Sequence, residues 1–163
     1  MNLSFRIKHH FFRAFREFFV HNHSSLEFRA KLFALMIAAN EEATVDNYIL
    51  VKNLSLDTYK NDEERADLLT LSTKEMVQKV RDNNELDIDT LIASIQKELR
   101  NVPRYAKKIE IDDLKQIVQY SYDKDTISYQ ENILEFLEKL KSETLKRRKK
   151  HIESDEKLLD SRY

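Results

Sequence analysis

Residues 24–43 read SSLEFRAKLFALMIAANEEA. Ser24 to Glu27 form a capping box, in which the serine hydroxyl and the glutamate carboxylate satisfy free backbone N–H groups at a helix start. The apolar residues that follow recur about every 3.6 positions, and they are Phe28, Leu32, Phe33, Met36 and Ile37. The run ends in a polar turn at residues 40–43. This stretch predicts an amphipathic α-helix with one face in a hydrophobic core.

The whole chain of 163 residues contains no glycine and a single proline, Pro103. Glycine is the usual residue in hairpin turns, at positive φ and in loops that bind phosphate. Its absence argues against a β-rich fold and against glycine-dependent nucleotide sites. It predicts helices joined by loops that stay at negative φ or use Asn and Asp. The expected fold is all-α, a single compact bundle of about seven helices with no β-sheet.

Periodicity and capping signals place the seven helices and divide the chain into three parts. The expected helix starts lie near Leu3, at Ser24, after Thr44, at Asn61-Asp62, after Asp87 or Asp89, at Pro103 and at the second capping box, Ser128 to Glu131. Residues 1–24 form a Phe-rich basic amphipathic helix, and residues 25–145 form the bundle. Residues 146–163 are a basic and then mixed-charge tail, which we expect to be frayed from about His151 because its apolar stripe fades.

Composition excludes several classes of protein. No cysteine means no disulfide framework and no thiolate chemistry, which favours a reducing compartment. We find no secretory signal and no apolar run long enough to span a membrane. A paired nucleophile and base, a phosphate loop and a glycine-flanked serine elbow are also lacking. We therefore expect a cytoplasmic protein, either free or peripheral to the inner membrane, that is not an enzyme.

The N-terminal helix carries six of the nine phenylalanines, and on a helical wheel they occupy an arc of roughly 140°. They are Phe5, Phe11, Phe12, Phe15, Phe18 and Phe19. Arg13 and Arg16 line the adjacent side. One interpretation packs this stripe into the bundle, with Phe12, Phe15 and Phe19 mostly buried. The other makes the Phe and Arg residues a surface for a partner protein or a membrane.

Two acidic loops follow the second and sixth predicted helices. The first contains Glu41, Glu42 and Asp46, and the second contains Asp123, Asp125 and Glu131. Clustered carboxylates of this kind bind hard divalent cations such as Ca²⁺. Asp and Asn also favour turns and helix caps for local reasons, so the loops are alternatively structural. No two histidines stand three or four residues apart on a helix, which argues against a zinc site.

A basic run, Lys146 to Lys150, precedes the predicted tail. Such a run can contact phosphates or an acidic surface. Cations are also expected near the end of a helix, where the dipole is negative. No aromatic residue is interleaved with the run, so nucleic acid is not favoured as a partner.

Two segments about 84 residues apart resemble the paired halves of the TerB-like domain family, which includes tellurite-resistance proteins and the N-terminal region of DjlA-type co-chaperones. The segments are Phe28 to Tyr59 and Ile111 to Leu140. Their loops, residues 40–44 and 123–128, correspond to the family's acidic loops, although both loop glycines are missing and Asn40 replaces the leading Asp. The resemblance implies an all-helical bundle, a metal-binding face built from the loops, and a role in bacterial stress or envelope physiology.

These observations leave three functions open. The leading hypothesis is a non-enzymatic TerB-like interaction or scaffold domain that binds a protein partner and, through its acidic loops, a divalent cation. The second is a helical chaperone or adaptor that holds a partner's amphipathic helix in an apolar groove. The third is peripheral membrane association through the N-terminal helix. None of the three implies a small-molecule substrate.

Overall fold

A computed structural model describes residues 24–162 of the chain. Its helices, in chain order, are α1 (Ser24–Ala38), α2 (Val45–Thr58), α3 (Glu63–Arg81), α4 (Ile88–Asn101), a 3₁₀ helix (Pro103–Lys108), α5 (Ile111–Val118) and α6 (Lys124–Asp160). No strand occurs in this part of the chain. The all-α prediction is confirmed. The helix expected from Leu3 to Val20 lies outside the described residues.

Helix α1 forms the centre of the bundle. It packs against α3, α4, α5 and the 3₁₀ helix, and Phe28, Leu35, Met36 and Ile37 are completely buried. The ring centroid of Phe28 lies 5.3 Å from that of Tyr105 in the 3₁₀ helix. The expectation of one buried face therefore understated the burial of α1, because neighbouring helices cover it on several sides.

The predicted helix starts at Thr44, Asp62 and Asp87 are confirmed, since these residues are the N-caps of α2, α3 and α4. The Asp62 carboxylate accepts a hydrogen bond from the Arg65 backbone N–H at 3.2 Å. Asp87 accepts one from Thr90 N–H at 2.7 Å. The signals at Asp62 and Asp87 are local, because each side chain caps a backbone N–H only three positions away; the Thr44 side chain makes no such hydrogen bond.

Loops without glycine use other residues at positive φ. Asn61 and Asn83 adopt φ values of 66° and 50°, as expected for a residue whose short amide side chain tolerates this conformation. Lys60 and Glu85 also have positive φ, at 53° and 62°. Those two positions were not predicted.

The sixth predicted helix, from Pro103 to Tyr122, is interrupted. Pro103 does stand in the first turn, but of a 3₁₀ helix. Ile109 is extended, with φ −78° and ψ 91°, and α5 begins afterwards and ends at Val118. Ile109 is completely buried, and its carbonyl accepts a hydrogen bond from Lys141 Nζ at 2.6 Å. This contact with α6 outweighs the local helical preference.

Helix α6 differs from its prediction at both ends. It starts at Lys124 rather than Ser128, because Asp123 caps it by accepting a hydrogen bond from Thr126 N–H. It continues to Asp160, so residues after His151 are helical instead of frayed. No proline or glycine interrupts this region, and contacts between side chains four residues apart, such as His151 Nε2 to Asp155 Oδ2 at 3.5 Å, favour the helix. Among residues 24–162, no helix has both the length and the apolar character needed to cross a membrane.

Candidate functional site

The carboxylates of the two acidic loops do not converge in the structure. All six lie at exposed positions, and they are Glu41, Glu42, Asp46, Asp123, Asp125 and Glu131. Among residues 24–162, no three His, Cys, Asp or Glu side chains are grouped so that they could hold a metal ion. Asp123 instead accepts hydrogen bonds from Thr126 N–H at 3.0 Å and Thr126 Oγ1 at 3.1 Å. Asp123 therefore caps a helix, as expected if the loops are structural.

Neutral side chains nevertheless link the first loop to residues on either side of the second. Asn40 Nδ2 donates to Ser121 Oγ at 3.2 Å, and that hydroxyl donates to Gln130 Oε1 at 2.8 Å. Gln130 Nε2 then donates to the Met36 carbonyl at 3.0 Å. Arg81 adds a hydrogen bond to the Asn40 carbonyl at 3.2 Å. Asn40 is therefore a buried structural residue, and its neutral amide suits a site from which water is excluded.

Sequence reasoning missed the buried roles of Ser121 and Gln130. A signal for Gln130 was present, because it precedes Ile133, Leu134 and Leu137 by three, four and seven residues. It therefore lies on the apolar stripe of α6. A polar residue on such a stripe indicates a buried hydrogen-bond partner.

A second group of charged residues lies at the start of α5 and was also missed. Arg29 of α1 forms an ion pair with Glu110, the N-cap of α5, with Nη1 and Oε1 2.8 Å apart. The carboxyl groups of Glu110 and Asp113 hydrogen-bond to each other. Tyr59 lies between two guanidinium groups, with Arg29 and Arg65 at 6.0 and 5.9 Å from its ring centroid.

The environment separates the pKa values of the two carboxyls. Partial burial, together with the hydrogen bond and charge of Glu110, raises the pKa of Asp113 to about 7. Partial burial also acts to raise the pKa of Glu110. The hydrogen bonds with Asp113 and Arg29 outweigh this effect, so the pKa of Glu110 lies below its ordinary value. At pH values between the two pKa values, the pair therefore holds one proton, on Asp113.

The space around this pair is unequal on its two sides. Toward Arg29, Thr58 and Lys108 the void is about 10 Å³, which is no larger than the space that one water needs. On the other side lies a groove of about 680 Å³ between the start of α5 and α6. Its lining residues are Glu110, Ile111, Asp112, Asp113, Lys115, Glu138, Lys141, Ser142 and Leu145. The groove is wide and mixed in charge, and it lies alongside α6.

Residues 149–160 of α6, here called the α6 extension, are all exposed. At 1.5 Å per residue these twelve residues span about 18 Å. Ile152, Leu158 and Leu159 keep 45%, 57% and 57% of their surface exposed. Charge changes sign along this end of the helix, from Lys146–Lys150 to Glu153, Asp155 and Glu156. Ile152 thus lies between a basic and an acidic segment, and Leu158 and Leu159 follow the acidic segment.

The predicted partner or membrane surface of the N-terminal helix lies outside the described residues. Its members are Phe5, Phe11, Phe12, Phe15, Phe18, Phe19, Arg13 and Arg16. Whether these side chains pack into the bundle or bind a partner stays a prediction. The candidate surfaces within residues 24–162 are the groove and the α6 extension.

Comparison of the chain with protein-family models, curated proteins and solved structures finds no match. The TerB-like resemblance therefore rests on the two sequence segments alone and stays a prediction. Function has to be argued from the geometry of the groove and the α6 extension.

Proposed function

We propose that this protein is a non-enzymatic helical interaction module that contacts a partner protein through the α6 extension. The observation that carries the proposal is the exposure of Ile152, Leu158 and Leu159 on a helix whose earlier residues, such as Leu137, are completely buried in the core. An isolated exposed apolar residue is ordinary. Three within eight residues of a segment that contributes no buried residue favour a contact surface.

The charged groups beside α5 fit a structural role in this proposal. Glu110 is engaged by Arg29 at 2.8 Å, and that contact joins α5 to the central helix α1. The void on the Arg29 side of the pair has no room for a substrate, whereas Glu110 and Asp113 also line the open groove of about 680 Å³ on the other side. The proposal assigns the carboxyl pair to stability because its ion pair with Arg29 joins two helices.

Membership of the TerB-like family is part of the proposal, as an interaction or scaffold domain in bacterial stress or envelope physiology. Its support is the all-helical bundle and the hydrogen bond at 3.2 Å between Asn40 of the first matching loop and Ser121, two residues before the second. A divalent cation is left out, because no three of the loop carboxylates are grouped together in the described part of the chain.

Photo-crosslinking tests the interaction role. A photoreactive phenylalanine analogue is placed at Leu159 in the α6 extension or, as the control, at Leu71 on α3, which is 45% exposed. After irradiation of cells that express the full chain, we expect discrete protein adducts from position 159 and none from position 71. Mass spectrometry then identifies the crosslinked peptide. Absence of adducts from position 159, or identical adducts from both positions, would contradict the proposal.

A further inference from the structure

We propose that the partner of the α6 extension is a second copy of the same chain, with the two extensions packed side by side and antiparallel. This inference rests on the interaction role proposed above. The contact is a twofold pairing centred on Ile152.

The apolar residues at this end of α6 are spaced for such pairing. Leu145, Ile152 and Leu159 are seven residues apart, and residues at that spacing drift by only about 20° around a helix. They therefore form one stripe along the helix. Leu145 is partly buried against the core, whereas Ile152 and Leu159 are exposed. Around a centre at Ile152, antiparallel packing places Ile152 beside its symmetry mate and Leu145 beside Leu159 of the second copy.

Charge decides between antiparallel and parallel packing. Arg148 and Lys149 precede Ile152 by four and three residues, and Asp155 and Glu156 follow it by three and four. On a helical wheel all four flank the stripe, within about 60° of Ile152. Antiparallel packing places Arg148 beside Asp155 and Lys149 beside Glu156, and the twofold axis repeats both attractive pairs. Parallel packing would place Arg148 beside Lys149 and Asp155 beside Glu156 of the second copy, which repel.

The groove provides room at each end of this pairing. Glu138, Lys141, Ser142 and Leu145 line it from α6, and they precede Ile152 on the same side of the helix. The groove therefore opens in the direction that the apolar stripe faces. In the antiparallel arrangement, Leu159 of the second copy reaches Leu145 at the entrance of this space of about 680 Å³.

Sedimentation velocity of the purified full chain, over a range of concentrations, measures the dimer directly. One variant reverses the basic residues (Arg148→Glu with Lys149→Glu), and a second reverses the acidic residues (Asp155→Lys with Glu156→Lys). Each variant alone replaces four attractions by four repulsions, so we expect its dissociation constant to rise about tenfold or more. An equimolar mixture should recover the original affinity, because every pair is attractive again in the mixed dimer. Circular dichroism checks that the variants stay helical.

Disulfide formation provides a second readout. The chain has no cysteine, so Ile152→Cys introduces a single thiol at the proposed twofold axis. Oxidation should link Ile152→Cys chains into dimers quickly. Ser154→Cys, which places the thiol on the opposite side of the helix, should link slowly. Equal rates would contradict the arrangement.

The outcomes separate this inference from the proposed function. A chain that stays monomeric at every concentration, or charge variants that do not weaken the dimer, would overturn self-pairing. If position 159 then crosslinks to a different protein, the interaction module survives and its partner is not a second copy. If position 159 crosslinks only to residues 1–23 of its own chain, both proposals fail. Failure of position 159 to crosslink to any protein, together with a monomeric chain, also overturns both.

Discussion

At the residue scale, Gln130 illustrates how a polar side chain can hold several elements together. Its amide is completely buried and contacts Ser121 before α6 and the Met36 carbonyl in α1. Asn40 joins the same network through Ser121. Removing the amide leaves buried donors and acceptors unpaired, and each such group costs more than an average hydrogen bond contributes.

We expect Gln130→Ala to lower the free energy of unfolding by about 1–3 kcal/mol for each partner that it leaves unpaired. Urea denaturation followed by circular dichroism measures the loss. Asn132→Ala is the matched control, because Asn132 is an exposed residue of the same helix and should change stability by less than about 0.5 kcal/mol. Equal effects of the two substitutions would show that the network contributes nothing.

The raised pKa of Asp113 predicts that the stability of the protein depends on pH. This pKa is raised to about 7, first by burial and then by Glu110, so between about pH 4 and 7 the folded state binds more protons at this site than the unfolded state. The contribution of Asp113 is therefore complete below its ordinary pKa and is lost as the pH rises through about 7. Asp113→Asn removes this dependence.

We accordingly expect the melting temperature of Asp113→Asn, relative to the wild type, to be higher at pH 8 than at pH 5. Thermal unfolding at the two pH values tests the sign. Asp112→Asn, at the exposed neighbouring position, serves as the control and should show a smaller change between them. If the Asp113→Asn difference were the same at both pH values, the raised pKa would be wrong.

At the element scale, local signals compete to decide where a helix begins. Two starts were available for α6, the Ser128–Glu131 capping box and the Asp123–Thr126 pair. The structure uses Asp123, which accepts from both the backbone N–H and the hydroxyl of Thr126. The earlier start is compatible with the burial of Gln130 in the second turn, beside the loop that holds Ser121.

We expect Asp123→Ala to destabilise the protein by about 1 kcal/mol, the usual contribution of an N-cap. Asp125→Ala, in the exposed first turn of α6, should have a smaller effect.

A separate experiment compares the melting temperature of the protein in millimolar Ca²⁺, Mg²⁺ or Zn²⁺ with its melting temperature in a chelator. A rise in melting temperature with one of these ions, abolished by Asp123→Asn with Asp125→Asn, would instead support the metal site predicted from the sequence.

At the scale of the whole molecule, stability and assembly belong to different parts of the chain. The core surrounds α1, whereas the α6 extension contributes no buried residue. Substitutions in the core should therefore change the free energy of unfolding, and substitutions in the α6 extension should change self-association.

We expect Phe28→Ala to lower the free energy of unfolding by about 3–5 kcal/mol, since it removes a completely buried aromatic ring. Ile152→Ala should change it by less than about 0.5 kcal/mol under conditions where the chain is monomeric. It should weaken self-association in sedimentation velocity instead. A large loss of monomer stability in Ile152→Ala would place the α6 extension within the folded core and contradict this division.

The sequence by itself determined the all-α class and the N-caps of α2, α3 and α4. These features depend on 3.6-residue periodicity and, at Asp62 and Asp87, on carboxylates that accept from backbone N–H groups three residues away, so the information is local. Only the tertiary structure decided which polar residues are buried and which elements they join. Arg29 and Glu110 are 81 residues apart, as are Asn40 and Ser121, and no local pattern links such positions. Packing against α6 also broke the expected sixth helix at Ile109, because burying that residue and bonding its carbonyl to Lys141 outweighed a continuous helix.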